Sequence, residues 1–156
     1  MRIGILLLAT ASLLPPLCRA QVPIFAVIPG QSTIKFKVKA SVPIVGRFDK
    51  WDASLTFSSR DVSSGVLVIN IQADTVDTGS GMKNNKLKSK DFFYVEQNPV
   101  ISFRSTKVVQ TGPNTFEVPG TFTIRGVSNP ETLKLMVSTT GTGSGAITAA
   151  MGFNRK

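Results

Sequence analysis

Residues 84–103 read NNKLKSKDFFYVEQNPVISF, and the rest of the chain is organised around them. The front of this stretch is polar and basic. It turns aromatic at Phe92, Phe93 and Tyr94, breaks at Asn98-Pro99, and enters a strand pattern at Val100-Ile101-Ser102-Phe103. Asn84 to Ser89 is long enough for one or two helical turns. Pro99 forbids helix beyond Asn98, because the residue before proline is pushed to the extended region. A connection that is both basic and aromatic packs over something. With strand patterns on both sides, the stretch predicts the lid or mouth of a β structure.

Working outward, the clearest strand signal is Gln31 to Ala40. Ile34, Phe36 and Val38 alternate with Lys35, Lys37 and Lys39, which gives one apolar and one basic face. That pattern suits a half-buried antiparallel strand; a sheet buried on both faces would not tolerate three lysines. Val45-Gly46-Arg47-Phe48 opens another strand. Trp51 to Phe57 follows, with Ala53, Leu55 and Phe57 on one face. Gly65 to Ala73 places Leu67, Ile69 and Ile71 inward. Asp74 to Asn85 has loop composition, with Thr75 and Asp77 placed to accept hydrogen bonds from nearby amides.

Beyond the lid, Val100 to Val109 reads as a strand with Ile101 and Phe103 inward, and Thr111-Gly112-Pro113-Asn114 as a hairpin loop. Thr115 to Ile124 returns, with a break expected near Pro119-Gly120. Asn129-Pro130 reads as the next turn, Thr132 to Thr139 as a strand, Gly141 to Gly145 as a flexible link, and Ala146 to Phe153 as the start of a last strand. Seven to eight strands with little helix predict an antiparallel barrel or sandwich, and the pattern alone leaves that choice open.

Residues 1–20 read as a secretory signal peptide. Arg2 supplies the positive end, Ile3 to Leu14 the apolar run, and Cys18-Arg19-Ala20 the small residues before cleavage after Ala20. Cleavage leaves 136 of 156 residues, the size of one domain. It takes Arg2 and Arg19 with it, so the basic count falls from 18 to 16 against nine acids, a formal charge of +7. The mature chain then holds neither cysteine nor histidine, so no disulfide, no thiol or imidazole metal ligand and no ordinary nucleophile–base pair is available. Ser89-Lys90 reads as a solvated loop pair rather than a Ser–Lys nucleophile. No catalytic residue, metal site or cofactor is therefore expected. A +7 charge suits a solvated surface or contact with an anionic membrane. No recognition helix carries the lysines, so nucleic acid is not expected.

The lid also carries a resemblance. Leu87, Lys88, Ser89, Asp91, Phe92, Phe93, Val95, Pro99, Phe103 and Ser105 stand where the YceI-like family has its Leu-(Lys/Arg)-Ser-x-Asp-Phe-Phe-x-Val, proline and x-x-Phe-x-Ser pattern. Ser32 to Val38, Gly46-Arg47-Phe48, Asp77-Thr78-Gly79 and the segment Gly120 to Val127 resemble further family pieces. The resemblance runs from about Phe25 to Lys156. The family often has histidine where this chain has Lys86 and Arg125. Relatives also continue into further strands after the position of Lys156, so final strands of the barrel are expected to be missing and a sheet edge open.

What the resemblance implies is an antiparallel, lipocalin-like β-barrel with a short helical lid over residues 21–156. It further implies a periplasmic or secreted location and an isoprenoid or quinone-like lipid as ligand. The residues expected to line the apolar cavity and lid are Phe36, Phe48, Leu55, Phe57, Ile69, Ile71, Leu87, Phe92, Phe93, Ile101 and Phe103. An alternative stays open: a solid barrel, without catalysis, whose basic face binds acidic lipid or a protein partner. A homodimer is a further open partner assignment. Trp51 is expected either to plug the barrel floor or to give its indole N–H to a carbonyl.

Overall fold

The computed structural model describes residues 24–26, 29–39, 43–139 and 145–153. The expected signal peptide over residues 1–20, most of the expected Gly141–Gly145 link and residues 154–156 lie outside the described residues. In chain order the strands are β1 (Ile24–Ala26), β2 (Ile34–Val38), β3 (Ile44–Phe48), β4 (Trp51–Phe57), β5 (Gly65–Gln72) and β6 (Val76–Asp77). One helix, α1 (Gly81–Lys88), precedes β7 (Val100–Ser105), β8 (Val109–Gln110), β9 (Thr115–Ile124), β10 (Val127–Thr139) and β11 (Gly145–Ala150).

The large sheet runs β1-β4-β5-β7-β9-β10-β11, with β8 added beside β9, and all its pairs are antiparallel. It curls into a half-barrel. A separate sheet, β2-β3-β6, is also antiparallel. This is the expected lipocalin-like β architecture with a short helical lid. The strands outnumber the expectation because the Val100–Val109 pattern splits in two and short strands form at β1 and β6.

Period-two patterning fixes the inner face. On β4, Trp51, Ala53, Leu55 and Phe57 are half-buried while Asp52, Ser54 and Thr56 are exposed. Register then aligns apolar rows across the sheet. Ala53 faces Ile69, Ile69 faces Phe103, and Phe103 faces Phe122. One step along, Trp51 faces Ile71 and Ile71 faces Ile101. Trp51 thus packs on the core beside Ile71. Leu133 and Leu135 extend the buried face onto β10, opposite Val118 and Phe116. Gly120 makes room in it: a Cβ there would stand 2.4 Å from the Arg104 carbonyl and 2.7 Å from Cζ of Phe103.

Three sequence expectations are corrected. The turn after β9 lies at Arg125-Gly126, where both φ values are positive (53° and 71°), as a two-residue hairpin of primed type requires. Asn129 and Pro130 instead lie within β10. There β11 offers no partner, since it pairs only with Lys134–Thr139, and such an edge tolerates a missing amide. Second, β9 continues through Pro119-Gly120. β7 pairs with β9 as far as Gly120 and β8 takes over at Glu117, so Pro119 falls between the two ladders. Third, the strand after the lid ends at Ser105, because Thr106 turns away to give its amide (2.9 Å) and hydroxyl (3.1 Å) to the Pro119 carbonyl.

Candidate functional site

The lid is built by a chain reversal around Ser89. The Ser89 amide closes α1 by donating to the carbonyls of Asn85 (3.1 Å) and Lys86 (3.3 Å). Its own carbonyl accepts from the amides of Phe92 and Tyr94, both at 3.0 Å, while Phe93 donates to the Leu87 carbonyl at 2.9 Å. Tyr94 adopts a left-handed φ of 50°, and its carbonyl accepts from Gln97 and Asn98 before Pro99 opens β7. The reversal brings Phe93 down onto the small sheet. Its ring centre lies 6.2 Å from Phe36, edge-on, and 5.8 Å from Phe48. Phe36 and Phe48 are themselves 5.2 Å apart. Leu87, on the inward side of α1, is fully buried. Leu87 is buried and Asn84 and Lys88 half-buried, while Met82, Lys83, Asn85 and Lys86 are exposed.

Polar contacts hold this lid in place. Asn84 Oδ1 accepts from the Thr78 amide (2.8 Å) and hydroxyl (2.7 Å), which pins α1 to the end of β6. Asp77 accepts from the Gly79 amide (2.9 Å) and from Asn84 (3.5 Å), and pairs with Arg47 at 3.2 Å. The Gly79 amide, then Asn84, then Arg47 hold its carboxyl below the usual aspartate value. At the other end of the lid, Lys86 pairs with Asp91 and lies 5.9 Å over the Phe92 ring. The Asp91 carboxyl is also lowered, first by Lys86 and further by the charges of Lys90 and Arg125. Lys86 and Arg125, far apart in sequence, therefore act on one carboxylate.

Of the eleven residues that sequence reasoning assigned to the cavity and lid, Phe48, Ile71, Leu87, Ile101 and Phe103 are buried in one core cluster. Phe36, Leu55, Ile69, Phe92 and Phe93 are half-buried and packed against it. Phe57 stands apart, at the far end of β4 from Trp51, with its ring against Gly65. Several core residues escaped the sequence reading. Val118 and Phe122 follow the period-two pattern of β9 and were legible; Val76 hides in a Thr/Asp-rich segment and is buried opposite Phe48. Ser105 is the one buried polar side chain among the described residues, and its Oγ accepts from the Leu67 amide at 2.8 Å. The inner face thus presents hydrocarbon and aromatic carbon, with its one buried hydroxyl already engaged.

Two open clefts flank this face rather than enter it. One, of about 540 Å³, runs along the outside of the lid between Asn85, Lys88, Tyr94 and Glu96. It meets the core only at Val95. The other, of about 510 Å³, lies between Arg60–Ser63 and Lys107–Gln110.

Residues 25–156 match the model of the YceI-like domain. The chain belongs to the YceI-like family. Among curated proteins, a UPF0312 protein of Pseudomonas aeruginosa is 34% identical over 91 residues, 58% of this chain and 47% of that protein. A UPF0312 protein of Vibrio cholerae is 28% identical over 101 residues, 64% of this chain and 53% of its own. This YceI-like chain spans about half the length of the curated relatives it matches. Among solved structures it is similar to Burkholderia cenocepacia BcnA, with a TM-score of 0.67 and 27% identity over 74% of this chain and 73% of that one. The Campylobacter jejuni YceI protein superposes with a TM-score of 0.60 over 81% of this chain and 77% of that one. At 23% identity that likeness concerns the fold alone.

Proposed function

We propose that this chain binds an amphipathic isoprenoid-type lipid, polyprenyl or quinone-like, against the apolar inner face of the half-barrel and beneath the lid. It carries or sequesters that lipid outside the cytoplasm and performs no catalysis. The observation that carries this reading is the continuous apolar inner face from Trp51 to Leu135, roofed by Phe93 and Leu87, with Ser105 its only buried polar side chain among the described residues. A face without a polar anchor selects a ligand by its hydrocarbon length. Each buried methylene contributes roughly 0.8 kcal/mol, so a chain of repeated isoprene units accumulates affinity without a charged contact. Membership of the YceI-like family supports the ligand class and the location. Ser89, the one serine beside a lysine in the lid, gives its hydroxyl to the Lys86 carbonyl at 2.7 Å and acts as a structural cap.

A titration with a fluorescent polyprenyl probe tests the reading. Phe36→Asp and Phe93→Asp each place a carboxylate in the roof and are expected to reduce uptake at least tenfold, about 1.4 kcal/mol, in variants that retain the β circular-dichroism spectrum. Unchanged uptake in both folded variants removes the roof and inner face from the binding site.

A further inference from the structure

We propose that the outer face of β2–β3, continued by the exposed side of α1, seats the protein on an anionic membrane surface. The proposal concerns the opposite face of the small sheet from the lipid-binding reading above and stands on different residues. Strand alternation sends Ile34, Phe36, Ile44 and Phe48 toward the core. The same alternation sends Lys35, Lys37 and Val45 outward, all exposed, with Lys37 directly opposite Val45. Lys39, just past β2, is exposed as well. Residues two apart on a strand are separated by roughly 7 Å, so these lysines form an evenly spaced row.

The row is joined to the lid. Arg47, opposite Lys35, pairs with Asp77, and Asp77 accepts from Asn84 of α1. On the outer side of α1, Met82 is 85% exposed and Lys83 is its neighbour. Lys86 lies one turn further along the same side as Met82. The acids of the surface are already engaged: Asp49 and Asp77 with Arg47, and Asp91 with Lys86. Lys35, Lys37, Lys39 and Lys83 form no ion pair among the described residues, so the surface keeps a cationic excess.

Two isolated apolar side chains are exposed beside these cations: Val45, at 58% exposure, opposite Lys37, and Met82, next to Lys83 on α1. A specific protein interface concentrates its energy in a packed aromatic or arginine anchor. Among the described residues this face exposes no aromatic ring, and its arginine, Arg47, is tied to Asp49 and Asp77. Lysines around scattered apolar tips suit a flat, fluid, anionic surface, where the ammonium groups meet lipid phosphates and the tips enter the headgroup layer.

Flotation of the protein with vesicles tests the proposal. One vesicle type mixes phosphatidylglycerol with phosphatidylcholine; the other is phosphatidylcholine alone. The protein is expected to float with the first, not the second, and to be released by added salt. Lys35→Glu, Lys37→Glu and Lys39→Glu together are expected to weaken vesicle binding more than a hundredfold, since each surface lysine contributes about fivefold. Met82→Ser is expected to leave binding in place but make it more salt-sensitive. Reversal of Lys107, between β7 and β8, and of Lys134, on β10, is expected to change it little. No binding to the anionic vesicles, or equal loss from the Lys107 and Lys134 reversals, overturns the proposal. A protein partner captured by this face without vesicle binding overturns it too. Polyprenyl uptake from detergent is measured on the same triple variant. Retained uptake with lost flotation separates the docking surface from the lipid site, and intact flotation of the triple variant overturns the docking proposal whatever its uptake. In the unsubstituted protein, flotation without polyprenyl uptake counts against the lipid site alone.

Discussion

Phe93 of the lid stands 5.8 Å, ring centre to ring centre, from Phe48 of β3. Forty-five positions separate them in sequence, and the contact fastens the lid to the small sheet. Phe36 completes the cluster from β2, so three chain segments meet in one set of rings. Edge-on and tilted pairs at these distances add to simple area burial.

Phe93→Ala is therefore expected to lower stability by about 2 kcal/mol, below the range for a fully buried phenylalanine because this ring is only half-buried. The lid should loosen more than the sheet. Hydrogen exchange is expected to speed up at the Ser89 and Phe92 amides while the β5–β7 ladder stays protected. Uniform acceleration across both would contradict a separable lid.

Gly46 and Gly120 differ in what surrounds the missing side chain. At Gly46 a Cβ would stand 2.6 Å from the tip of the Phe36 ring and 2.8 Å from the Asp77 carbonyl. At Gly120 it would stand 2.4 Å from the Arg104 carbonyl and 2.8 Å from Ser105 Cα, both backbone. Both substitutions to alanine are expected to destabilise, by about 1–3 kcal/mol. Gly120→Ala is the more damaging, because it meets ladder backbone at 2.4 and 2.8 Å, whereas Gly46 meets it once, at 2.8 Å. Denaturant midpoints for the two variants check the order.

Acid should loosen the lid through Asp77. The Gly79 amide, Asn84 and Arg47 favour its ionised form in the folded state, so its folded pKa lies below the ordinary 3.8. The sign follows: the stabilisation is complete above the unfolded value and is lost as pH falls from there through the folded value. Asp77→Asn is expected to flatten the stability curve below about pH 4 and to change little of its shape above pH 5. Denaturation midpoints against pH for both proteins measure this. An identical acid limb in the variant would remove Asp77 from the account.

Arg125 occupies a left-handed conformation at a φ of 53° in the β9–β10 turn. A β-branched residue is penalised there, so Arg125→Val is expected to cost about 1–2 kcal/mol. Arg125→Asn suits the turn and is expected to be tolerated. Thermal melts of the two variants distinguish the turn effect from the loss of the Arg125 charge near Asp91, which both substitutions share.

Much of this fold was readable where one physical signal dominated. The Ile-Lys-Phe-Lys-Val alternation gave β2 its two faces, and the Trp51–Phe57 pattern matched β4 to the residue. The lid was readable from its basic-aromatic composition and from Pro99. Asn129-Pro130 misled because proline marks turns in general; only the register shows that β11 pairs beyond that point, from Lys134 onward. The three-stranded sheet stayed hidden because its third member is two residues long and lies in a segment of loop composition. Residue type identified candidates for the lipid face, but the separation of Phe57 from the lid depends on position along β4, which composition does not encode.

The most direct test of the lipid-binding claim is native mass spectrometry of the chain purified without detergent, followed by organic extraction. The account predicts a discrete added mass that extracts as a polyprenyl or quinone-like lipid and is absent from Phe93→Asp. An apo mass that takes up no added polyprenyl lipid, in protein with an intact β spectrum, would contradict it.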